Sequence, residues 1–371
     1  MERGNTVQKA AKHPLADVPE GKLESLNALQ AAFRLDARPG KADLMCGVYQ
    51  TRGGKSYVLP SVKLAREKLF NDSNWEHEYP SSHLGEAEFR NTSARLLFGE
   101  QSSVLMENRL SSMQALGASG ACHMGARFLK MHYGPYKSNP ERKVYIPRET
   151  WVNHPNVFQD VRFDTAGLPY YNFVTHRFDF KQFDDALKQI PTQSIIVLQV
   201  CGNNPTGCDP SPDEWQQLAH TFKAMNHFAF LDLSYPGFAT GNVADDCAPI
   251  RLFVDIDIPF LVAVTYGKCF GLYGERVGHL CMPMPTAESA VRADQQMKLL
   301  ARAETGAQPR FGAKLVSITL GDSSLKKIWE EDLRGLAQDL MDRRKTLKSE
   351  LLKHDTLRDW SFVTNQTGMF L

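Results

Sequence analysis

No stretch of the sequence is long and apolar enough to cross a bilayer, which takes roughly 18 or more consecutive apolar residues. The opening residues 1–14 lack the apolar core of a signal peptide, and their few arginines and early Glu2 disfavour a mitochondrial presequence. We therefore expect a cytoplasmic protein that has no membrane partner.

Cysteine is scarce: the chain has seven, an odd number, scattered mostly through apolar runs and without the close pairs of a metal site. We expect reduced, mostly buried thiols and no bound metal.

An excess of one charge sign is absent too, because the chain has 43 Lys and Arg and 42 Asp and Glu, which gives a formal net charge of +1. Without a strong overall field, nucleic acid is not expected as a partner, and any anion must bind locally.

Apolar sequence is present in quantity. With 371 residues, 42% of them hydrophobic, the chain exceeds what one core usually organises, so we expect a large domain and a smaller one. From about residue 100 to about 320, apolar runs at 194–200, 228–233 and 260–264 alternate with amphipathic stretches such as 212–226. This alternation predicts an α/β fold in which a mainly parallel central sheet lies between helices.

The last fifty residues show two patterns. A long helix is predicted to follow Asp322, which is placed to be its N-cap. Residues 360–371 look like a strand, a turn and the start of another strand. Val363 and Phe370 are therefore expected in strands that leave a sheet edge and apolar surface exposed.

Lys268 is the residue that most strongly indicates chemistry. It follows the apolar run 260–264 among glycine and apolar neighbours, at the kind of strand end where open α/β sheets place ligands. Burial there lowers the pKa of a lysine toward values at which its amine attacks a carbonyl, and Arg276 nearby can neutralise an anion. The alternative is a loop lysine that reaches solvent beside a surface arginine.

Asp232 ends another apolar run, and the phenol of Tyr235 follows three residues later. A buried carboxylate needs a cationic or protonated partner, and the nitrogen of a pyridine ring would serve. Tyr235 can then donate to a ring oxygen. The alternative is an aspartate that caps the next turn, followed by a packed tyrosine.

Two loops complete the pattern. Residues 202–207 carry amide side chains, including that of Asn204, and residues 116–121 form a glycine loop before a helical pattern. Backbone N–H groups and the Ser119 hydroxyl of the second loop can hold a phosphate, although either loop alone is equally an ordinary turn. Combined with Lys268, Asp232 and Tyr235, they supply the amine, carboxylate, phenol, amide and phosphate cradle of a pyridoxal phosphate site.

These residues lie in longer motifs that resemble those of the aspartate aminotransferase family, a branch of the class I, fold type I pyridoxal phosphate enzymes. The likeness extends from about Leu23 to Phe370. The motifs are Gly47-Val-Tyr49, Thr150-Trp-Val-Asn-His154, Asn204-Pro-Thr-Gly207, Asp232-Leu-Ser-Tyr235-Pro-Gly-Phe, and Tyr266-Gly-Lys268 through Arg276. The implied domains are an N-terminal arm with the first part of the small α/β domain (1–56), the large cofactor-binding domain (57–321), and the connecting helix with the remainder of an incomplete small domain (322–371).

The resemblance implies that Lys268 forms the internal aldimine with pyridoxal 5'-phosphate and later moves the proton at the substrate Cα. Asp232 would keep the pyridine nitrogen protonated, with His154 supporting Asp232. The other implied cofactor contacts are Tyr235 and Asn204 at the ring oxygen, Trp151 stacked over the ring, and Ser119, Ala118, Thr265 and Arg276 at the phosphate. The implied substrate contacts are Gly47, Trp151, Asn204 and Arg302.

In this family each active site borrows residues from a neighbouring subunit, so the resemblance implies a homodimer. Tyr79 would reach the partner's phosphate, and Arg302 would bind the distal carboxylate of the substrate in the partner's site. Arg302 is thus the residue that indicates aspartate or glutamate, and an exposed helix arginine is its alternative. The implied reaction is transamination of L-aspartate and 2-oxoglutarate to oxaloacetate and L-glutamate.

Several positions depart from the family pattern. Gly117 and Ala118 replace its serine and glycine, Asn203 replaces its histidine, and residues 303–308 replace its Pro-x-Tyr-Ser-Asn-Pro run. The family's arginine for the substrate α-carboxylate would lie beyond Leu371, so this chain is expected to turn over poorly. The alternatives are altered specificity, another reaction at Cα such as elimination in a specialised pathway, or a catalytically inactive cofactor-binding homologue.

Overall fold

The computed structural model describes residues 13–20, 25–43, 45 and 47–369 and divides the chain into two units, Met1–Gly47 and Val48–Leu371. In the described part of the first unit, helix α1 spans Ser25–Leu35. The second unit contains the central sheet and the helices around it. The division predicted from the resemblance, with boundaries near residues 56 and 321, remains a prediction.

Helices and strands alternate through the second unit. Its helices are α2 (Pro60–Phe70), α3 (Ala87–Phe98), α4 (Ser103–Met106), α5 (Gly117–His132), α6 (Gly134–Ser138), α7 (Asn153–Asp160), α8 (Phe180–Gln189), α9 (Pro212–Met225), α10 (Val243–Asp246), α11 (Ala248–Asp255), α12 (Ala287–Glu304), α13 (Phe311–Gly321), α14 (Ser323–His354) and α15 (Phe362–Asn365). Its strands are β1 (Leu110–Leu116), β2 (Val144–Pro147), β3 (Thr165–Leu168), β4 (Tyr171–Asn172), β5 (Arg177–Phe178), β6 (Ile195–Gln199), β7 (Phe228–Leu233), β8 (Phe260–Thr265) and β9 (Val277–Pro283).

Seven strands form one sheet in the order β1-β9-β8-β7-β6-β2-β3, and β4 pairs with β5 in a separate two-stranded sheet. All neighbours from β8 to β3 are parallel, whereas β9 is antiparallel to both β8 and β1. The predicted α/β fold with a mainly parallel central sheet is confirmed. Because β9 opposes both of its neighbours, β1 points the same way as β8, and its carboxyl end lies at the same edge of the sheet.

The sheet is buried on both faces, as its continuous apolar strands require. Successive residues of a strand point to opposite faces, so Ile196 and Leu198 of β6 join one apolar cluster, and Ile195 and Val197 join the other. Helices α5, α7 and α12 contribute to the second cluster, while α9, α11 and α13 contribute to the first. Among the described helices, none is long and apolar enough to pass through a membrane.

Helix ends follow the signals in the sequence. Ser211 and Glu214 form a reciprocal capping box at the start of α9, and Asn226 ends that helix with a φ of 51°. Asp322 accepts hydrogen bonds from the backbone of Ser324 and Leu325, so the predicted N-cap of the long helix α14 is confirmed.

All six cysteines that the structure describes are buried and free, as expected, and Cys46 lies outside the described residues.

The predicted strands in residues 360–371 are wrong. Residues Phe362–Asn365 form the short helix α15, and Val363 is buried instead of lying at an exposed sheet edge. The buried guanidinium of Arg344 on α14 donates to the carbonyl oxygens of Val363 and Met369. Side-chain donors therefore satisfy backbone acceptors that a strand partner would have satisfied. Phe370 lies outside the described residues.

Candidate active site

The carboxyl ends of four parallel strands position the candidate residues. Asp232 is the penultimate residue of β7, Lys268 follows β8, Asn204 follows β6 and Trp151 follows β2. Ser119 lies in the first turn of α5, directly after β1. Because these strands point the same way, their carboxyl ends bring five separate segments to one edge of the sheet.

Lys268 and Tyr235 are in contact across two neighbouring loops. The Lys268 Nζ lies 4.5 Å from the centroid of the Tyr235 ring, and the lysine is only partly accessible. Burial lowers the pKa of Lys268 below its usual value, the negative charge of Asp232 partly opposes this, and the positive charge of Arg276 adds to it. A larger fraction of this amine is therefore neutral, and so nucleophilic, than in an ordinary lysine.

Asp232 is 1% exposed and is only partly satisfied by hydrogen bonds. Ser234 Oγ donates to Asp232 Oδ1 over 3.1 Å. Asp232 Oδ2 lies 3.3 Å from His154 Nε2, but this pair lacks the geometry of a hydrogen bond, and both atoms have no other hydrogen-bond partner in the structure. A buried carboxylate oxygen without a donor is costly, so this atom fits a ligand that brings a protonated nitrogen.

His154 connects this carboxylate to Trp151 and Thr150. Its ring is buried, meets the Trp151 ring edge-on at a centroid distance of 5.3 Å, and has Nδ1 2.8 Å from Thr150 Oγ1. The His154 backbone N–H donates to the Trp151 carbonyl over 2.9 Å, at the start of α7. The local turn therefore fixes the indole and the imidazole relative to each other.

Tyr235 is buried, and its burial, followed by the nearby charge of Asp232, raises the pKa of its phenol above the usual value. The phenol therefore keeps its proton and remains a hydrogen-bond donor at neutral pH. A donor of this kind beside the Lys268 amine suits a ligand that carries a ring oxygen.

The loop that carries Asn204 is held by two side chains that sequence reasoning missed. Gln199 Oε1 accepts from the Asn204 backbone N–H over 3.0 Å and from Asn203 Nδ2 over 2.9 Å. The Asp209 carboxylate accepts from the backbone of Gly202 and Asn203 over 2.7 and 2.9 Å, and burial raises the pKa of Asp209 to about 6. No signal in the sequence pointed to Gln199, whose place beside Asp232 comes from the strand register.

Arg276 lies against the N-terminus of α5. Gly117 has a φ of +67°, and a Cβ on it would lie 2.5 Å from Arg276 Nη2, so a glycine is required for this approach. The Gly117 N–H donates to the Arg276 carbonyl over 2.9 Å. A guanidinium beside free helix N–H groups is suited to a phosphate, and Ser119 is partly accessible at the same turn.

Two residues predicted at the phosphate have no exposed polar group to offer in this structure. Ala118 is buried in the first turn of α5, where only its backbone can contribute. Thr265 is buried as well, and its hydroxyl accepts from the Gly267 N–H over 3.1 Å and donates to the Val277 carbonyl over 3.3 Å. Their roles at the phosphate remain predictions.

Three further predicted residues are exposed. Tyr79 is 79% exposed, and Arg302 is exposed in the last turn of α12. Gly47 is exposed and belongs to the first unit. Their predicted roles, which for Tyr79 and Arg302 involve a second subunit, remain predictions.

Cys122 is the remaining residue that sequence reasoning missed. Its Sγ, a nitrogen of His154 and a carboxylate oxygen of Asp232 lie within 4.8 Å of one another, and all three residues are buried. The only available signal was helical spacing, since Cys122 is one turn after Ser119 on α5 and so lies deeper along the same face.

The fold and this geometry together define an α/β protein with an amine, a carboxylate and a phenol at the carboxyl edge of its sheet. The family described as "Aminotransferase class I and II" matches residues 39–371, so the chain belongs to that family. The resemblance inferred from the motifs is thereby confirmed.

Individual relatives are similar over nearly the whole chain. The cytoplasmic aspartate aminotransferase of Oryza sativa subsp. japonica is 36% identical over 357 residues, which are 96% of this chain and 85% of that protein. The mitochondrial aspartate aminotransferase of Dictyostelium discoideum is 33% identical over 96% of this chain and 82% of its own length. The crystal structure of an aromatic-amino-acid aminotransferase from Burkholderia pseudomallei, covalently bound to pyridoxal phosphate, has a TM-score of 0.90 at 31% identity, covering 96% of this chain and 87% of that one.

Proposed function

We propose that this protein is a pyridoxal 5'-phosphate-dependent aminotransferase that exchanges amino groups between L-aspartate and 2-oxoglutarate. The observation that carries the proposal is the pairing of a partly desolvated Lys268 with a buried Asp232 whose Oδ2 lacks a donor. Structural chemistry alone favours a ligand with a carbonyl for the amine and a protonated nitrogen for the carboxylate. The family and the relatives support the same cofactor.

When bound, pyridoxal phosphate supplies a carbonyl that takes up amines and a pyridinium ring that withdraws electrons from Cα. The residues that would hold it are Lys268, Asp232, Tyr235, Asn204, Trp151, Ser119, Ala118, Thr265 and Arg276, together with Tyr79 of a second subunit. Within one chain these residues fit such a group, because an orphaned carboxylate oxygen and a cationic cradle lie at the same sheet edge.

The chain's own residues divide the chemical work. Asp232 would keep a ring nitrogen protonated, because its carboxylate is buried and its unpartnered Oδ2 can accept from that N–H. Lys268, with its lowered pKa, can accept a proton from the substrate Cα and return it, which is general acid–base catalysis. Tyr235 would keep its phenolic proton and donate a hydrogen bond from that O–H to the ring oxygen.

Substrate charge is assigned to Arg302, which would bind a distal carboxylate in a bidentate fashion. Two observations support that assignment: the exposed position of Arg302 on α12, which is accessible to another subunit, and the aspartate aminotransferases among the relatives. This role for Arg302 requires a homodimer whose two subunits share their active sites. We also propose that the protein is located in the cytoplasm.

Aromatic amino acids are a second candidate substrate class. They are favoured by the similarity to the Burkholderia pseudomallei enzyme, and by the altered residues 303–308 that follow Arg302. Glutamate and 2-oxoglutarate would then remain the shared amino donor and acceptor.

The experiment is a single-turnover measurement on protein loaded with pyridoxal phosphate. Addition of L-aspartate should convert the cofactor's visible absorbance to that of its aminated form, faster than L-phenylalanine does, and 2-oxoglutarate should reverse the change. A faster change with phenylalanine would select the aromatic substrates, and no change with either amino acid would refute the proposed function.

A further inference from the structure

The proposed function gives no task to Cys122, although its thiol lies close to the side chains of Asp232 and His154. Cys122 comes from α5, His154 from α7 and Asp232 from β7, and one donor atom of each lies within 4.8 Å of the other two. All three side chains are buried. Since the three donors come from distant positions in the chain, no metal-like spacing could reveal them in the sequence.

Two of these donor atoms are unsatisfied. His154 Nε2 and Asp232 Oδ2 have no hydrogen-bond partner, yet they lie 3.3 Å apart. Two ligand atoms at about 2.0–2.1 Å from a tetrahedral zinc ion are separated by about 3.4 Å. The two unpartnered atoms therefore already have the spacing of adjacent zinc ligands, and a sulfur atom is near both.

The imidazole is oriented for such a role. Its Nδ1 lies 2.8 Å from Thr150 Oγ1, which can accept the Nδ1 proton and leave the Nε2 lone pair directed toward Asp232. Histidines that bind metal usually donate their other ring N–H to an oxygen in this way. In that tautomer, a cation between Nε2 and Asp232 Oδ2 would remove the repulsion between the lone pair and the carboxylate oxygen.

The donor set also selects the ion. One sulfur, one nitrogen and one oxygen suit zinc and disfavour magnesium and calcium, which prefer oxygen alone. Loss of the Cys122 proton to solvent on binding would leave a thiolate and a carboxylate around a divalent cation, so the buried group would carry no net charge. A water molecule on the cofactor side would complete the tetrahedron.

We propose that the cofactor-free protein binds Zn²⁺ through Cys122 Sγ, His154 Nε2 and Asp232 Oδ2, and that Zn²⁺ and the cofactor exclude each other. The exclusion rests on the proposed function, because a protonated ring nitrogen and a zinc ion would need the same Asp232 oxygen. Zinc would thus hold the protein in an inactive form until it is removed.

The test uses the whole 371-residue chain, free of cofactor and treated with a chelator, and Co²⁺ as a spectroscopic probe. We expect visible bands of four-coordinate cobalt together with a near-ultraviolet sulfur-to-cobalt band, and both should disappear when Zn²⁺ is added. Protein loaded with pyridoxal phosphate should give neither band. No sulfur-to-cobalt band in the cofactor-free protein, or an undiminished band in the loaded protein, would overturn the proposal.

Cysteine variants locate the site. C122S should lose the sulfur-to-cobalt band and bind Zn²⁺ at least about 100-fold more weakly, since even outer-sphere partners of a metal contribute about 10–100-fold. C281S is the matched control, because Cys281 is equally buried and its Sγ lies 3.4 Å from the ring nitrogens of His279. That cysteine–histidine pair includes no carboxylate. It should keep both signals, and C122A gives a second reading if C122S is poorly folded. A band that survives in C122S or is lost in C281S would refute the assignment.

The two proposals can fail separately. Loading with pyridoxal phosphate is measured without metal, by reduction with borohydride and mass spectrometry. A chain that shows the cobalt band but never takes up cofactor would contradict the exclusion and the proposed function. A chain that takes up cofactor but shows no cobalt band would contradict the zinc site alone.

Discussion

The buried strand-end region around Lys268 and Asp232 differs sharply from the surface that carries Tyr79 and Arg302. In the first region, neighbours in the same chain hold several candidate groups: Ser234 donates to Asp232, and Gln199 accepts from the Asn204 backbone N–H. In the second, the two side chains are exposed. Side chains of one chain therefore place an amine, a carboxylate and a phenol together, whereas the roles proposed for Tyr79 and Arg302 would need a second subunit.

The largest expected effect is that of Lys268→Ala. Loss of the amine should abolish covalent attachment of the cofactor and reduce turnover on the order of 10²–10⁴-fold or more, because general acid–base catalysis contributes that much. The loss of attachment is measured as the amount of cofactor that stays bound through gel filtration. The loss of turnover is measured as the single-turnover rate. Lys223→Ala is the control, since Lys223 lies on the surface, 3.3 Å from Asp257. Wild-type turnover in Lys268→Ala would remove the lysine from the mechanism.

Asp232→Asn should have the next largest effect on cofactor binding. A charge-assisted hydrogen bond contributes about 1.5–3 kcal/mol, so we expect the cofactor to bind about 10–100-fold more weakly. Fluorescence titration of cofactor-free protein gives this affinity. The exposed Asp257→Asn should bind cofactor normally, and equal affinity in both variants would show that Asp232 contacts no part of the cofactor.

Arg302→Asp tests the exposed surface that carries Tyr79 and Arg302. We expect kcat/KM for aspartate to fall by at least about 30-fold, because truncating one partner of a buried charge pair costs about 2–5 kcal/mol, while phenylalanine should be little affected. Lys298→Ala, an exposed change on the same helix, should leave both substrates unchanged. Equal losses for aspartate and phenylalanine would give Arg302 a structural role instead.

A smaller effect, on the free energy of unfolding, is expected from Asp209, whose carboxylate accepts from the backbone of Gly202 and Asn203. Its pKa is raised from 3.8 to about 6, so the folded state binds the proton more tightly than the unfolded state does. The contribution of Asp209 to the free energy of unfolding should therefore be greatest below pH 4 and fall as the pH rises from about 4 to about 6. Urea unfolding of the wild type and of Asp209→Asn over this range would measure it. A difference between the two proteins that does not change with pH would contradict the raised pKa.

The sequence predicted the fold where local signals and burial agree. The apolar runs that became β6, β7 and β8 are continuous because both faces of those strands are buried, and the capping residues of α9 and α14 are visible in the sequence. Residues 360–369 were predicted wrongly, because what holds them is the distant guanidinium of Arg344. No local pattern contains that information.

Some residues of the candidate site could likewise be predicted from local sequence, and others could not. Lys268, Asp232 and Tyr235 could be found because each follows or ends an apolar strand, where polar side chains are conspicuous. Gln199 and Cys122 were missed, because an amide at the end of a strand and a thiol within a helix look like ordinary structure. Their importance comes from the register that places Gln199 beside Asp232, and from the packing that brings Cys122 near the same carboxylate.

The proposed function depends above all on the partly desolvated Lys268 as the residue that carries the cofactor. The most direct test is to incubate the protein with pyridoxal phosphate, reduce with borohydride, and map the modified lysine by mass spectrometry. We expect one stoichiometric modification, on Lys268, and we expect it to be lost at limiting cofactor when Arg276→Ala removes the guanidinium proposed to bind the phosphate. Modification spread over surface lysines, or absent from Lys268, would contradict it.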